Sequence, residues 1–356
     1  MAGRPAFHPL EVARVEALTE DSVALTFAVP PQLATEFRFS AGQHLNIRSA
    51  DDVRRSYSIC SPAPDGPLRV AVKRLEGGGF STHATTGLRA GDRLEVMTPT
   101  GHFSPALDPA RARHYCCVAA GSGITPILSI LATVLQVEPA SSVTLIYGNR
   151  STRATMFLDE LADLKDRYPD RLQMLYLFSR EAQDAELLCG RIDAAKMTAL
   201  LDNLVPVAGV DEWYLCGPYA MVTDVRDVLL GRGVPVRAVH AELFHVDAQP
   251  RPRPAPDAVA EGGSRSSVTI RLDGRASTFE LSPDGESILD AALRERADAP
   301  YACKGGVCGT CRAKLVEGQV EMAGNYALQP DELAAGFVLA CQSSPRSEQV
   351  VLDFDA

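Results

Sequence analysis

The sequence predicts three domains in series: an antiparallel β-barrel or sandwich over residues 1–106, an α/β unit with a parallel sheet over 110–245, and a small module over 267–356. Three observations carry this. Short β-rich runs broken by Pro and Gly turns fill the first third, and strands alternate with helical stretches through the middle. A proline-rich segment, 246–266, then separates a last quarter that holds four closely spaced cysteines.

In the first domain, Val23–Val29 and Leu68–Val72 are strand-like runs set off by Pro30-Pro31 and Gly66-Pro67. In the second, Tyr115–Ala119 precedes a helix over Thr125–Leu135, and Val143–Tyr147 precedes one over Phe157–Tyr168. Met174–Phe178 is a further strand, and Glu212–Cys216 leads into a helix over Tyr219–Leu230. In the segment 246–266, Pro250, Pro252, Pro254 and Pro256 alternate with Arg251 and Arg253 before Gly262-Gly263-Ser264; it cannot bury a core and reads as a linker. Beyond it, Val268–Leu272 and Thr278–Leu281 form a hairpin around Asp273-Gly274, followed by a helix over Ser287–Arg296.

The chain has 356 residues, 46% hydrophobic and 22% charged, with 45 acidic against 35 basic side chains and a net charge of −10. That balance argues against nucleic acid or an anionic membrane as partner. The last module holds 14 acidic and 8 basic residues, so the negative charge is concentrated there. Met1–Glu11 has no apolar core, so no signal peptide is expected and the cytoplasm is the expected compartment. Tyr115–Val137 is uncharged and long enough to be a membrane candidate, but Gly121, Ser122, Gly123, Thr125 and Pro126 interrupt it, and it reads as strand, loop and helix. Nine cysteines, an odd number, argue against a disulfide framework.

Cys303-x4-Cys308-x2-Cys311, with Cys341 thirty residues on, has the C-x4-C-x2-C…C spacing of plant-type 2Fe-2S clusters. A small cluster needs thiolates converging from one loop plus one from elsewhere, and Gly305, Gly306 and Gly309 let backbone N–H groups turn toward sulfur. The alternatives are a structural zinc site, which more often pairs two C-x2-C knuckles, or scattered buried cysteines. The segment Cys303–Cys311 with Gly336–Gln342 resembles plant-type ferredoxins, which implies a β-grasp fold with Cys303, Cys308, Cys311 and Cys341 as iron ligands.

Upstream, Arg55-Ser56-Tyr57-Ser58 is followed by Val72-Lys73-Arg74, by Gly77-Gly78-Gly79-Phe80-Ser81-Thr82, and by Gly91-Asp92 through Pro99, Gly101 and Phe103. Singly these are a strand and a turn; in this order they resemble the flavin domain of the ferredoxin–NADP reductase superfamily, an antiparallel barrel. The resemblance implies that Arg55 pairs with a flavin phosphate, Tyr57 packs on the isoalloxazine and Ser58 lies near flavin N5. It also implies that Ser81 and Thr82 donate to the pyrophosphate, with Ser56, Val72, Lys73, Gly79 and Phe80 in the same site. FAD rather than FMN is likewise implied by the resemblance.

Gly121-Ser122-Gly123-Ile124-Thr125-Pro126, between a strand and a helix, suits a phosphate cradle, although an ordinary βα turn would look the same. In context it resembles the pyridine-nucleotide loop of that superfamily. Ser179 and Arg180 match positions that hold the 2′-phosphate of NADPH, Arg150 could assist, and Cys216-Gly217-Pro218 resembles the loop beside the nicotinamide. Cys216 is then near the hydride path or merely buried. Glu242 and Phe244 fall where the superfamily places residues beside the flavin, Glu242 as a proton-handling group.

Nearly the whole chain, including Val320–Leu333, Tyr147–Thr152 and Phe157–Leu172, resembles the reductase subunits of phenylacetyl-CoA 1,2-epoxidase complexes. That implies electrons passing from NADPH through FAD and the 2Fe-2S cluster to a separate di-iron oxygenase of phenylacetate degradation. A reductase for another mono- or dioxygenase, a stand-alone flavin diaphorase and a non-enzymatic metal-binding adaptor are the other readings.

Overall fold

The computed structural model describes residues 6–49, 53–244, 265–328 and 330–356. The chain divides into two compact units, residues 1–244 and 245–356. Most of the expected linker, 246–264, lies outside the described residues; its last residue, Ser266, already opens a strand.

The first unit begins with a six-stranded antiparallel sheet. Its strands are β1 (Phe7–Thr19), β2 (Ser22–Ala28), β3 (His44–Arg48), β4 (Arg54–Ser58), β5 (Arg69–Lys73) and, after helix α1 (Gly79–Thr86), β6 (Arg93–Met97), in the order β4-β3-β6-β1-β2-β5. β1 pairs with β6 through its first five residues and with β2 beyond Glu11, with register shifts at Val12/Arg14 and Ala17/Thr19. Such irregularities increase local twist and let one strand serve two neighbours around a curve. A bridge between Ile59 and Val70, with Cys60 N–H donating to the Arg69 carbonyl at 2.9 Å, joins the end of β4 to β5 and closes the barrel. Leu10, Leu25, Leu45, Ile47, Val70 and Val96 are fully buried in its hydrophobic core.

The rest of the unit is α/β: β7 (His114–Ala120), α2 (Ile124–Val137), β8 (Ser142–Asn149), α3 (Leu158–Arg167), β9 (Leu172–Phe178), α4 (Ala194–Asn203), β10 (Glu212–Gly217), α5 (Tyr219–Gly231) and β11 (Val239–Leu243). The sheet order is β11-β10-β7-β8-β9, all pairs parallel. The chain builds outward from β7 on one side and then returns to its other side with β10. The carboxyl ends of β7 and β10 therefore flank the switch point, where open parallel sheets bind ligands. α2 is buried from Ile124 to Leu135, with the barrel's residues in the same hydrophobic core. Among the described residues no helix is long and apolar enough to cross a membrane; the uncharged run 115–137 is β7, a tight turn and α2. The glycine turn at 77–79 opens an eight-residue helix, α1, and α4 also carries no expectation from the sequence.

The second unit comprises β12 (Ser266–Leu272), β13 (Arg275–Leu281), α6 (Ile288–Glu295), β14 (Arg312–Glu317), β15 (Val320–Met322), α7 (Pro330–Ala334), β16 (Phe337–Leu339), β17 (Ser343–Pro345) and β18 (Gln349–Asp353). A mixed sheet, β13-β12-β18-β14-β16, packs against α6, giving the β-grasp arrangement. The hairpin turn forms where expected because Asp273 (φ 59°) and Gly274 (φ 64°) both take the left-handed conformation of a two-residue turn. Ser287 caps α6 by accepting from the Asp290 N–H at 3.1 Å.

Arg69 of β5 grips Glu160 of α3 with two hydrogen bonds, 2.6 and 2.9 Å, and lies 5.3 Å over the Phe157 ring, tying barrel to α/β half. Arg69→Ala leaves Glu160 without its cation and takes away the more distant of the two arginines beside Glu16, which keeps Arg14 at 2.8 Å. It should destabilise the first unit by about 2 kcal/mol in urea unfolding, discounting the value of a fully buried pair because Glu160 is 41% exposed. Unchanged stability would contradict the clamp.

Candidate functional site

β3 and β4 pair with His44 opposite Ser58 and Leu45 opposite Tyr57, so Arg55 and Tyr57 share one face of β4 while Ser56 and Ser58 share the other. Arg55 is exposed, its Nη1 donating to the Arg54 carbonyl at 2.8 Å. Tyr57 packs against Phe80 of α1 with ring centroids 5.5 Å apart, and burial pushes its hydroxyl up to about 12. α1 starts at Gly79 with no side chain capping it, so its first N–H groups are open to an acceptor. Ser81 uses its hydroxyl inside the turn, accepting from Leu75 N–H at 3.1 Å and lying 3.3 Å from the Gly78 carbonyl; Thr82 is exposed. The donor set of Arg55, Thr82 and the α1 amides fits a phosphate group, and the Tyr57–Phe80 pair supplies the aromatic surface that a flavin ring needs.

Ser58 faces the other way. Its Oγ donates to Glu242 Oε2 at 3.1 Å, joining β4 of the barrel to β11 of the parallel sheet. Glu242 stands in register with Cys216 on β10, so three residues far apart in sequence meet at one junction. Cys216 is fully buried, and burial together with the Glu242 charge holds its thiol well above the usual range, so it stays neutral. Phe244 follows at the edge, 39% exposed.

The Gly121–Gly123 turn lies beside that junction. Gly121 has φ +54°, a left-handed conformation that favours glycine, and a Cβ on Gly123 would sit 2.2 Å from the Cys216 carbonyl oxygen, so that position takes no side chain without displacement. Tyr147 Oη donates to the Gly121 carbonyl at 3.0 Å, and Thr125 Oγ1 to Ser122 O at 3.1 Å, fixing the turn. Pro126 falls in the first turn of α2, where a missing N–H costs nothing. The loop after β10, Gly217-Pro218, adjoins the end of β7, where a Cβ on Gly217 would lie 3.2 Å from the Ala120 nitrogen.

Ser179 and Arg180 hydrogen-bond through their N–H groups to the carbonyls of Asn149 and Arg150, at 3.0 and 2.8 Å, so these strand ends adjoin. Arg180 is exposed. Arg150 instead reaches the barrel, pairing with Asp21 at 3.2 Å, while Asp21 also meets Lys73 at 3.5 Å. Burial raises the Asp21 carboxyl, but the Thr19 hydrogen bond and the two cations outweigh it and hold the group below its ordinary value. Asp21 is thus a bridging residue that sequence reasoning missed; its partners lie too far away in the chain to leave a local signal. Val72 is buried in the barrel beneath Lys73.

In the second unit the four thiols gather as two pairs. All four are free thiols, hydrogen-bonded Cys303 with Cys308 and Cys311 with Cys341; within each pair that bond lowers the Cys303 and Cys341 thiols and raises those of Cys308 and Cys311. Among the described residues no three such ligands surround one point as a single ion would need. Gly305 N–H donates to Cys303 Sγ at 3.3 Å, and Gln342 Nε2 to Cys341 Sγ at 3.7 Å. Donors directed at sulfur stabilise thiolate charge, and two thiol pairs suit a two-iron unit in which each iron takes one pair.

Three family models match in order: an oxidoreductase FAD-binding domain at residues 9–104, an oxidoreductase NAD-binding domain at 117–227 and a 2Fe-2S iron-sulfur cluster binding domain at 270–346. The chain is 49% identical over 353 residues to one of the subunits of the 1,2-phenylacetyl-CoA epoxidase of Escherichia coli (strain K12), covering 98% of both chains. It is 32% identical to the 3-ketosteroid-9-alpha-monooxygenase ferredoxin reductase component of Rhodococcus rhodochrous, covering 97% of this chain and 96% of the relative. Among solved structures, phthalate dioxygenase reductase is 27% identical with a TM-score of 0.60, covering 98% of both chains.

Two outcomes are expected. Cys308→Ser should remove iron, inorganic sulfide and the red absorbance while flavin content and flavin bleaching by reduced pyridine nucleotide persist; simultaneous loss of flavin bleaching would contradict separate sites. Glu242→Gln, which keeps the shape but removes the charge, should slow flavin reduction about 100-fold with flavin still bound, the lower end for a positioned proton-handling group. A wild-type rate would remove Glu242 from that role.

Proposed function

Because this chain belongs to the oxygenase reductases built from FAD-binding, NAD-binding and 2Fe-2S domains, we propose that it reduces the di-iron oxygenase of a phenylacetyl-CoA epoxidase, taking its electrons from NADPH. The family's reductase components deliver electrons to oxygenase partners, and the oxidoreductase uses NAD(P)H, FAD and the cluster. The epoxidase partner is supported by the 49% identity to the Escherichia coli epoxidase protein along the full chain. NADPH is supported by the exposed guanidinium of Arg180 beside Ser179 at the ends of adjoining strands, a forked donor suited to a phosphate. The cytoplasm is supported by the use of the cysteines: an odd number, four of them at cluster-ligand positions.

The observation that carries the reading is the Ser58–Glu242–Cys216 junction, where the barrel meets the switch point of the parallel sheet. The flavin, when bound, supplies the exchange between a two-electron donor and a one-electron acceptor. The chain's own residues hold the rest in place. Arg55 and the α1 amides would anchor the flavin's phosphates, with Thr82 beside them, and Tyr57 would cover its ring. The Gly121–Gly123 turn would take the nucleotide's phosphates. Ser58 and Glu242 would orient a proton at the flavin edge, and Cys216, kept neutral, would fill the space beside the nicotinamide without adding charge. Each thiol pair of the second unit would hold one iron.

The test is reconstitution of purified protein with a phenylacetyl-CoA epoxidase oxygenase, using NADPH and NADH in parallel at rising ionic strength. Product should form with NADPH preferred, and coupled turnover should fall with salt faster than dye reduction if the acidic last module docks by charge. Failure to support the epoxidase while reducing another oxygenase would reassign the partner; NADH preference would reassign the donor.

A further inference from the structure

Beyond its first turn, where Thr125 bonds Ser122, the buried length of α2 is apolar except for two hydroxyls where packing alone would place aliphatic side chains. Both are buried, and both leave their own half of the unit for the barrel. Ser129 Oγ donates to the Ser61 carbonyl at 2.6 Å and lies 3.4 Å from the Gly42 N–H. One turn on, Thr133 Oγ1 accepts from the Ala63 N–H at 2.9 Å and donates back to the Ser129 carbonyl at 2.6 Å. Ser and Thr are unremarkable helix formers and such back-bonding is slightly destabilising, so their place here is explained by the bonds they make across the seam.

What the seam joins matters. The receiving segment, Ser61–Ala63, begins three residues after Ser58 and is itself locked, with Ile59 N–H on the Gln43 carbonyl at 2.8 Å and Cys60 N–H on Arg69. The other end of α2 is the Gly121–Gly123 turn, pressed on the Cys216 carbonyl. Gly123 and Ser129 are about 9 Å apart along a helix that rises 1.5 Å per residue. α2 is therefore a short strut with the nucleotide-phosphate turn at one end and two bolts to the flavin-bearing strand at the other.

We infer that Ser129 and Thr133 are positioning residues for hydride transfer, holding the nucleotide cradle in register with Ser58 so that nicotinamide and flavin meet at reacting distance. The inference rests on the proposed function. In that transfer two electrons and a proton leave nicotinamide C4 together and are accepted at flavin N5, oxidising the nucleotide and reducing the flavin. Geometry at this step matters, since a 1 Å misplacement can cost ~100-fold.

The experiment compares wild type, Thr133→Val, Ser129→Ala and Thr133→Ser as full-length flavin-loaded proteins. Anaerobic stopped-flow measures the limiting rate of flavin reduction and the nucleotide dissociation constant, and amide hydrogen exchange follows the Ala63 N–H. Thr133→Val and Ser129→Ala should lower the limiting rate about tenfold or more, with the dissociation constant changed less than about threefold. Ala63 should exchange faster in Thr133→Val, and Thr133→Ser, which retains the hydroxyl, should restore both rate and protection. A wild-type rate in both hydroxyl-free variants overturns the inference, as does Thr133→Ser behaving like Thr133→Val. Loss of flavin from the hydroxyl-free variants also overturns it, because the seam would then serve folding alone. Failure of the wild type to bleach would instead sink the proposed function.

Discussion

The hydrogen bond from Ser58 to Glu242 spans two architectures, and the first unit is organised so that it can form. The antiparallel barrel is the FAD-binding domain and the parallel sheet the NAD-binding domain, and electrons can pass from nucleotide to flavin only where the two abut. The buried length of α2, the Arg69–Glu160 clamp and the Asp21–Arg150 pair all cross that boundary. Ion pairs at a partly exposed edge contribute little each, so the shared hydrophobic core supplies most of the hold. The polar contacts instead set the register in which the halves meet.

The same separation of tasks holds at the level of charge. Cys216 sits beside a carboxylate with its thiol fully buried and neutral, which keeps a second negative charge out of the junction. In the second unit the logic reverses: thiols are drawn into pairs, with backbone and Gln342 donors turned toward the Cys303 and Cys341 sulfurs, whose thiols are lowered. Desolvation is thus used to suppress a thiolate in one place, and hydrogen bonding to favour it in the other.

Features built from neighbouring residues were the legible ones. The cysteine loop, the Gly121–Pro126 turn and the Asp273-Gly274 hairpin each depend on a few consecutive positions, and each appears close to where the sequence implies. Helix ends shift by a residue or two: the expected Thr125–Leu135 helix runs Ile124–Val137, and Phe157, expected inside the next helix, takes a left-handed conformation just before it. α1 was hidden because three glycines at its start read as a turn. Cross-boundary contacts were not legible at all. Asp21 and Arg150 are 129 residues apart, and Ser129 and Thr133 look like tolerated polar positions in an apolar helix until their partners Ser61 and Ala63 are seen. Arg150, expected beside the nucleotide phosphate, is drawn to Asp21 for the same reason.

The most direct measurement of the central claim is an anaerobic titration of the purified chain with reduced pyridine nucleotide, followed by absorbance across the flavin bands and the red shoulder of the cluster. The account predicts that both bleach, and that both return when an electron-accepting protein is added. Flavin bleaching with a cluster that stays oxidised, or a preparation that contains no iron and sulfide, would contradict it.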